Sequence, residues 1–134
     1  MFCFDTDVMS AILKRDPPLA LVRRIGSLPP PNQFTTAITM GEMLYGAARR
    51  GSGDLSERVR ILLSGAIRIL SFDEQAAAVY GSLRAALEAG GEPLAEPDLR
   101  ISAIALSRQL TLVTGNTRHF RRVPGLDVEN WLEL

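Results

Sequence analysis

Short apolar runs alternate along the chain with longer stretches in which apolar residues recur every three or four positions. The short runs are typical of buried strands, and the longer stretches are typical of helices that bury one face. Predicted strands cover Phe2–Phe4, Gln33–Ala37, Ile67–Leu70, Leu110–Thr114 and a short edge segment, Leu126–Val128. Strands that alternate with helices predict an α/β fold whose parallel sheet is covered on both faces.

Polar caps and glycines mark the ends of the predicted helices. These helices are Val8–Leu13, a stretch from Leu19 to Gly26, one that begins at Thr39, Leu55–Leu63, Glu74–Glu88 and one that begins at Asp98. Short polar side chains accept hydrogen bonds from the free amides of a first helical turn. The caps we predict are Thr6 or Asp7, Thr39, and Ser71 or Asp73. Residues 1–134 are thus predicted to form a single three-layer α/β/α domain with four to five parallel strands.

Four polar residues are predicted to meet at one edge of this sheet. Asp5 directly follows the first strand, and Asn116 follows the fourth. Glu42 falls in the predicted first turn of the helix after the second strand. Asp98 opens the helix that leads into the fourth strand, and such a crossover helix begins at the carboxyl edge of the sheet. Ligands of parallel α/β sheets bind beyond this edge.

Each of the four residues also has a purely structural interpretation. Asp5 can cap a helix, and Asp98 can offset the positive end of a helix dipole. Glu42 can complete a capping box with Thr39. Asn116, in the pair Gly-Asn, is a common turn residue. These interpretations do not explain why every carboxylate falls at the same edge of the sheet.

Crowded carboxylates repel one another, so one must stay protonated or a cation must offset their charge. Mg²⁺ is commonly held by one or two carboxylates together with waters and phosphate oxygens. Mn²⁺ accepts the same ligands. No histidine is predicted in the cluster, which argues against zinc. The sequence therefore predicts a Mg²⁺ site, with Mn²⁺ as the alternative, at Asp5, Glu42 and Asp98.

Composition gives information on the location of the protein but little on its substrate. The formal net charge is zero, so overall charge gives no argument for nucleic acid. Lys14 is the one lysine among 15 basic residues; arginine suits phosphate contacts, although a GC-rich genome produces the same bias. Cys3 lies in an apolar run and is predicted to be buried. Because no basic leader and no span of about 18 apolar residues is present, we expect a cytoplasmic protein without membrane contact.

Four segments resemble the PIN-domain ribonucleases, and within them the VapC toxins of bacterial toxin–antitoxin pairs. The segments are FDTD at Phe4–Asp7, TMGEMLYGA at Thr39–Ala47, GEPLAEPDLRISAIAL at Gly91–Leu106 and LVTGNTRHFRRVPGLDVENW at Leu112–Trp131. They are similar to the family's D-T-N/D start, its E-L-x-x-G and D-x-x-I-A-A segments, and its closing T-x-N-x-x-x-F…P-G-L…W pattern. A lone D-T-D is a weak signal, whereas four segments in order and at the right spacing are specific.

The resemblance implies a PIN-like fold and a Mg²⁺-dependent endoribonuclease, the toxic component of a toxin–antitoxin system. It assigns metal binding to Asp5, Glu42 and Asp98, and a fourth catalytic position to Asn116. Because that position is Asp in many members, the Asn favours one metal ion over two. Thr6 and Thr114 match positions whose hydroxyls support the acids.

The resemblance also implies three partners: an RNA substrate, a second copy of the chain, and a VapB-like antitoxin whose basic segment blocks the acidic site. The residues that could contact the phosphates of the RNA backbone are Arg49, Arg50, Arg118, Arg121 and Arg122. These arginines are equally well interpreted as ordinary solvated surface residues. The apolar residues considered for an antitoxin groove, or for the core, are Met9, Ile12, Leu13, Leu19 and Val22. Glu96 is interpreted as a solvated loop residue with a lesser claim to the metal. His119 is interpreted as a surface or half-buried residue without an acid–base role.

Three other interpretations were weighed. A response-regulator receiver requires a lysine after its last strand, and Lys14 is in the wrong place. A catalytically silent PIN module would have lost the acids, and a Mg²⁺-dependent cleavage assay separates it from the nuclease. The third alternative is a PIN nuclease that acts on DNA, or in RNA maturation outside a toxin system. A neighbouring antitoxin gene would decide between this alternative and a toxin.

Overall fold

A parallel five-stranded sheet forms the centre of the structure, a computed structural model that describes residues 1–133. The strands are β1 (Phe2–Phe4), β2 (Gln33–Thr36), β3 (Arg68–Leu70), β4 (Thr111–Val113) and β5 (Val128–Glu129). Their order is β3-β2-β1-β4-β5, so β1 is central and pairs with both β2 and β4. All four described pairings are parallel, which confirms the predicted sheet.

Seven helices surround this sheet within the described residues. They are α1 (Thr6–Ile12), α2 (Leu19–Gly26), α3 (Ala37–Arg49), α4 (Gly53–Leu63), α5 (Glu74–Ala89), α6 (Glu96–Ser107) and α7 (Thr117–Phe120). Alternate residues of the central strands face two separate apolar clusters. Phe4 and Val113 pack with residues of α1 to α4, whereas Cys3 and Leu112 pack with residues of α6 and α7. This alternation produces the predicted three layers, α/β/α.

Cys3 is fully buried in the central strand, as predicted. The pKa of its thiol is raised to about 12, chiefly by burial and to a smaller extent by the neighbouring carboxylate of Asp5. The thiol is therefore a core group rather than a nucleophile.

Two predicted helix caps are wrong. The first helix is capped by Asp5 rather than Thr6 or Asp7, because the amide of Val8 donates to Asp5 Oδ1 at 3.0 Å. The structural interpretation of Asp5 as a helix cap is thus confirmed. The helix α3 is capped by Thr36, whose hydroxyl accepts from the amide of Thr39 at 3.0 Å. The second strand therefore ends before Ala37, and the cap of α3 lies three residues earlier than predicted.

The earlier start of α3 changes two further predictions. Glu42 lies in the second turn of the helix rather than the first, so it does not form a capping box with Thr39. The helix α6 likewise begins at Glu96, with Asp98 in its first turn. The short helix α7 was not predicted, and the other boundaries differ from prediction by one or two residues. No helix within residues 1–133 has the length and apolar character needed to cross a membrane.

Candidate active site

A polar pocket of about 280 Å³ lies at the carboxyl edge of the sheet. Its walls are formed by Asp5, Thr6, Asp7, Glu42, Asp98, Asn116 and Phe120. The residues that follow parallel strands lie at the carboxyl edge of the sheet, and both α3 and α6 begin at this edge. The structure thus brings together the four residues predicted to be catalytic, and adds Asp7 and Phe120 to them.

Asp5 is the most buried carboxyl group in this pocket, with 3% of its surface exposed. Its pKa is raised from 3.8 to about 7, chiefly by burial and to a smaller extent by the charges of Asp7 and Asp98. Hydrogen bonds from the Thr114 hydroxyl and the Val8 amide oppose this shift. We predicted repulsion between carboxylates as the main effect; burial is the larger cause. A cation next to Asp5 would restore its charged form.

Glu42 is held from the neighbouring helix. The hydroxyl of Thr6, in α1, donates to Glu42 Oε1 at 2.6 Å. The Thr6 Oγ1 atom also lies 3.3 Å from Thr39 Oγ1, which in turn lies 3.2 Å from Thr36 Oγ1. This row of threonines ties α1 to the start of α3. Thr6 therefore contacts a candidate acid directly, as the family pattern implies for a supporting hydroxyl.

Asp98 is paired with a residue that the sequence did not assign to the site. Its Oδ2 lies 2.9 Å from Nε2 of His119, on α7. The imidazole is 22% exposed, so its predicted half-buried position is confirmed. One signal was available: His119 follows Asn116 by three residues, which places both on one side of a helical turn. The ring of the buried Phe120 also packs edge-on against His119, with 5.3 Å between centroids.

Asn116 occupies the start of α7 without capping that helix through its side chain. Its backbone amide donates to the hydroxyl of Thr114 at 3.0 Å, which fixes the turn after β4. Thr114 is fully buried between this turn and Asp5. Asn116 lines the pocket and is exposed to solvent.

The pocket suits a hard divalent cation without being a complete cage for one. Within residues 1–133, no three Asp, Glu, His or Cys side chains stand close enough together to form a ready-made metal site. Mg²⁺ usually needs only one or two carboxylates, since waters and substrate phosphates fill its remaining positions. The donors available are carboxylate, amide and hydroxyl oxygens. The oxygen donors and the buried Asp5 carboxyl fit one Mg²⁺ or Mn²⁺ ion.

Glu96 lies outside the pocket. It is the first residue of α6 rather than a loop residue, so that prediction is wrong. Its carboxylate accepts a hydrogen bond from the Tyr80 hydroxyl at 2.8 Å and ion-pairs with Arg84 and Arg100. These contacts lower the pKa of Glu96 and occupy its oxygens.

The five candidate RNA-binding arginines do not line the acidic pocket. Arg49 lies in the last turn of α3, and Arg118, Arg121 and Arg122 lie on or just after α7. Each of the five is exposed. Arg50 differs from the others because it lines a separate groove beside the pocket.

Comparison with known proteins identifies the family. A family model described as PIN domain matches residues 2–126. The chain belongs to the PIN domain family.

This PIN domain is similar to several VapC proteins along nearly its whole length. It is 35% identical over 133 residues to the tRNA(fMet)-specific endonuclease VapC of Shigella flexneri, with 97% of both chains covered. It is 30% identical over 131 residues to ribonuclease VapC2 of Haemophilus influenzae, with 98% of both covered. The structure of VapBC-1 from nontypeable Haemophilus influenzae superposes with a TM-score of 0.87, at 28% identity and 98% coverage of each chain. The resemblance to VapC-type PIN ribonucleases is confirmed.

Proposed function

We propose that this PIN domain is a Mg²⁺-dependent endoribonuclease, with Mn²⁺ as an alternative ion, and the toxic component of a toxin–antitoxin system. The observation that carries the proposal is the pocket in which Asp5, Glu42, Asp98 and Asn116 meet. Its VapC relatives are named as a ribonuclease and as a tRNA-specific endonuclease, which supports RNA as the substrate.

The ion would be held by one or two carboxylates of the set Asp5, Glu42 and Asp98, with waters and phosphate oxygens in its remaining positions. When bound, the ion would offset negative charge on the phosphate and lower the pKa of a water molecule. Asp5, the most buried acid of the pocket, is placed to orient the attacking water once the ion holds its carboxylate in the charged form. Thr6 and His119 keep Glu42 and Asp98 in place.

Asn116 completes the proposed catalytic set with a neutral group. Its amide can donate a hydrogen bond to a phosphate oxygen without adding a negative charge to the pocket. An aspartate in this position would add a third strong anion close to Asp5 and Asp98. The asparagine therefore favours one metal ion rather than two.

Partner proteins follow from the solved relatives. The structures most similar to this chain include VapBC complexes from Haemophilus influenzae and Salmonella typhimurium, which supports a VapB-like antitoxin as its partner. Leu19 and Val22 on α2 are 62% and 43% exposed, whereas Met9 is fully buried in the core. We assign the two exposed residues to antitoxin contact and leave Met9 to folding. We also propose that the chain forms a homodimer and acts in the cytoplasm.

The test is cleavage of 5′-labelled tRNA(fMet) transcript and of an unstructured RNA by the purified chain. We expect cleavage with Mg²⁺ or Mn²⁺, none with EDTA, and a loss of about 100-fold or more in Asp98→Asn and Glu42→Gln. Glu92→Gln, an exposed acid in the loop before α6, serves as the control. Cleavage in EDTA, or full activity in Asp98→Asn, contradicts the proposal. Cleavage of a matched DNA strand alone would assign a different substrate.

A further inference from the structure

A second groove adjoins the acidic pocket. It lies between α1, α3 and α4 and encloses about 430 Å³. Thr6 and Glu42 line both cavities, so their 2.6 Å hydrogen bond forms a shared wall. A molecule that lies along the groove therefore reaches the acids directly.

Basic side chains surround this groove. The cations that line it are Lys14, Arg15, Arg50 and Arg58, and Glu42 is the one carboxylate among its described lining residues. Within residues 1–133 none of the four forms an ion pair, whereas other arginines, such as Arg84, hold carboxylates. The guanidinium of Arg58 is fixed at the rim by a hydrogen bond to the backbone carbonyl of Leu13. Such a concentration of unpaired positive charge attracts a polyanion.

The floor of the groove is apolar. Leu13, Met43, Leu55 and Val59 line it, and the small residue Gly46 keeps it open. Phosphates bound at the rim would leave bases and sugars against these aliphatic side chains, which read no base edge. The volume is that of a pocket for one drug-sized molecule, or roughly one or two nucleotides of a single strand.

We propose that this groove, lined by Lys14, Arg15, Arg50 and Arg58, binds the single-stranded RNA segment beside the phosphate that is cleaved. The inference rests on the proposed nuclease function, because it takes RNA to be the substrate of the adjoining acids. A basic peptide would be repelled by the four cations and suits the acidic pocket instead. An acidic peptide is the competing occupant.

The first test measures RNA binding without cleavage. A fluorescein-labelled single-stranded RNA of ten nucleotides is titrated with the full chain in EDTA, and anisotropy is read at several salt concentrations. The double variant Arg15→Gln/Arg50→Gln is expected to bind roughly 10-fold more weakly. Its slope of log K against log salt should fall by about 1.4, since each lost phosphate contact removes about 0.7. The control, Arg60→Gln/Arg68→Gln, removes two exposed arginines outside the groove and should match wild type.

The second test fills the groove without removing charge. A Cβ added at Gly46 meets no atom within 4 Å, so the side chain of Gly46→Leu starts in open space at the floor of the groove. Gly81→Leu, at an equally open but more exposed position of α5, is the control. We expect Gly46→Leu to lose RNA binding with no fall in Tm, and Gly81→Leu to bind RNA as wild type does.

The outcomes separate this inference from the nuclease proposal. Unchanged RNA affinity in both groove variants overturns the inference, even if wild type cleaves RNA. Displacement of the RNA by a labelled Asp/Glu-rich peptide of similar length, at equal or lower concentration, also overturns it. RNA binding that depends on the groove, without any Mg²⁺-dependent cleavage, supports the groove and contradicts the nuclease.

Discussion

At the scale of single residues, Asp5 has two roles, and only one of them requires its side chain to be charged. As the cap of α1 it needs only an oxygen that accepts from the Val8 amide. As a candidate metal ligand it must be ionised, although burial raises its pKa to about 7. Asparagine caps helices as well as aspartate does and does not ionise. The substitution Asp5→Asn therefore keeps the helix cap and removes the charge that a metal ion needs.

Asp5→Asn is expected to stabilise the metal-free protein at alkaline pH. The folded-state pKa of about 7 exceeds the usual 3.8, so the wild type loses stability as pH rises from about 4 to 7. A shift of this size corresponds to at most about 4 kcal/mol in the free energy of unfolding. Urea unfolding in EDTA should show the variant more stable at pH 8 and equal to wild type at pH 4. Equal stability at both values would contradict the assigned burial; Asp5→Ala, which also loses the cap, should gain less.

His119 is expected to hold Asp98 for the metal. Removing a partner that orients a metal ligand typically weakens affinity by about 10- to 100-fold. His119→Ala should therefore weaken Mn²⁺ binding by that factor in isothermal titration calorimetry, and His119→Gln, which retains an amide donor, should recover part of it. Arg118→Gln, on the same short helix, is the control. Wild-type Mn²⁺ affinity in His119→Ala would show that the 2.9 Å contact is incidental.

At the scale of elements, the sheet was predictable and some helix starts were not. Short apolar runs with intervening helices indicate parallel strands, and parallel strands bring Asp5 and Asn116 to one edge. The start of α3 was misjudged because Thr36 and Thr39 are equally good caps in sequence; the tertiary structure selects Thr36. The helix α7 has four residues, too few to show helical periodicity. The His119 contact depends on that helix and was missed with it.

Thr36→Ala is expected to lower the free energy of unfolding by about 1–2 kcal/mol, because the amide of Thr39 loses its acceptor. Thr36→Ser retains the hydroxyl and should recover most of that loss. Chemical denaturation of the three proteins measures the difference. If Thr36→Ala were as stable as wild type, the helix cap would have to be assigned to Thr39, the residue that the sequence predicts.

At the scale of the whole molecule, a net charge of zero conceals a separation of charge. Acidic side chains concentrate in the pocket at the sheet edge, and unpaired cations concentrate in the groove beside it. A nuclease needs both, since the acids bind metal and the cations bind the backbone of the substrate. Global composition could not show this arrangement, because it depends on how α1, α3 and α4 pack.

Mg²⁺ is expected to stabilise the whole fold, because the unfolded chain has no site for it. Binding at 100 times Kd adds about 2.7 kcal/mol to the free energy of unfolding. The gain should increase from pH 6 to pH 8, since the metal competes with the proton on Asp5. Thermal unfolding with and without Mg²⁺ should show the gain in wild type and in Glu96→Gln, whose carboxylate lies outside the pocket. Asp98→Asn should show little gain; if it gained as much as wild type, the ion would have to bind elsewhere.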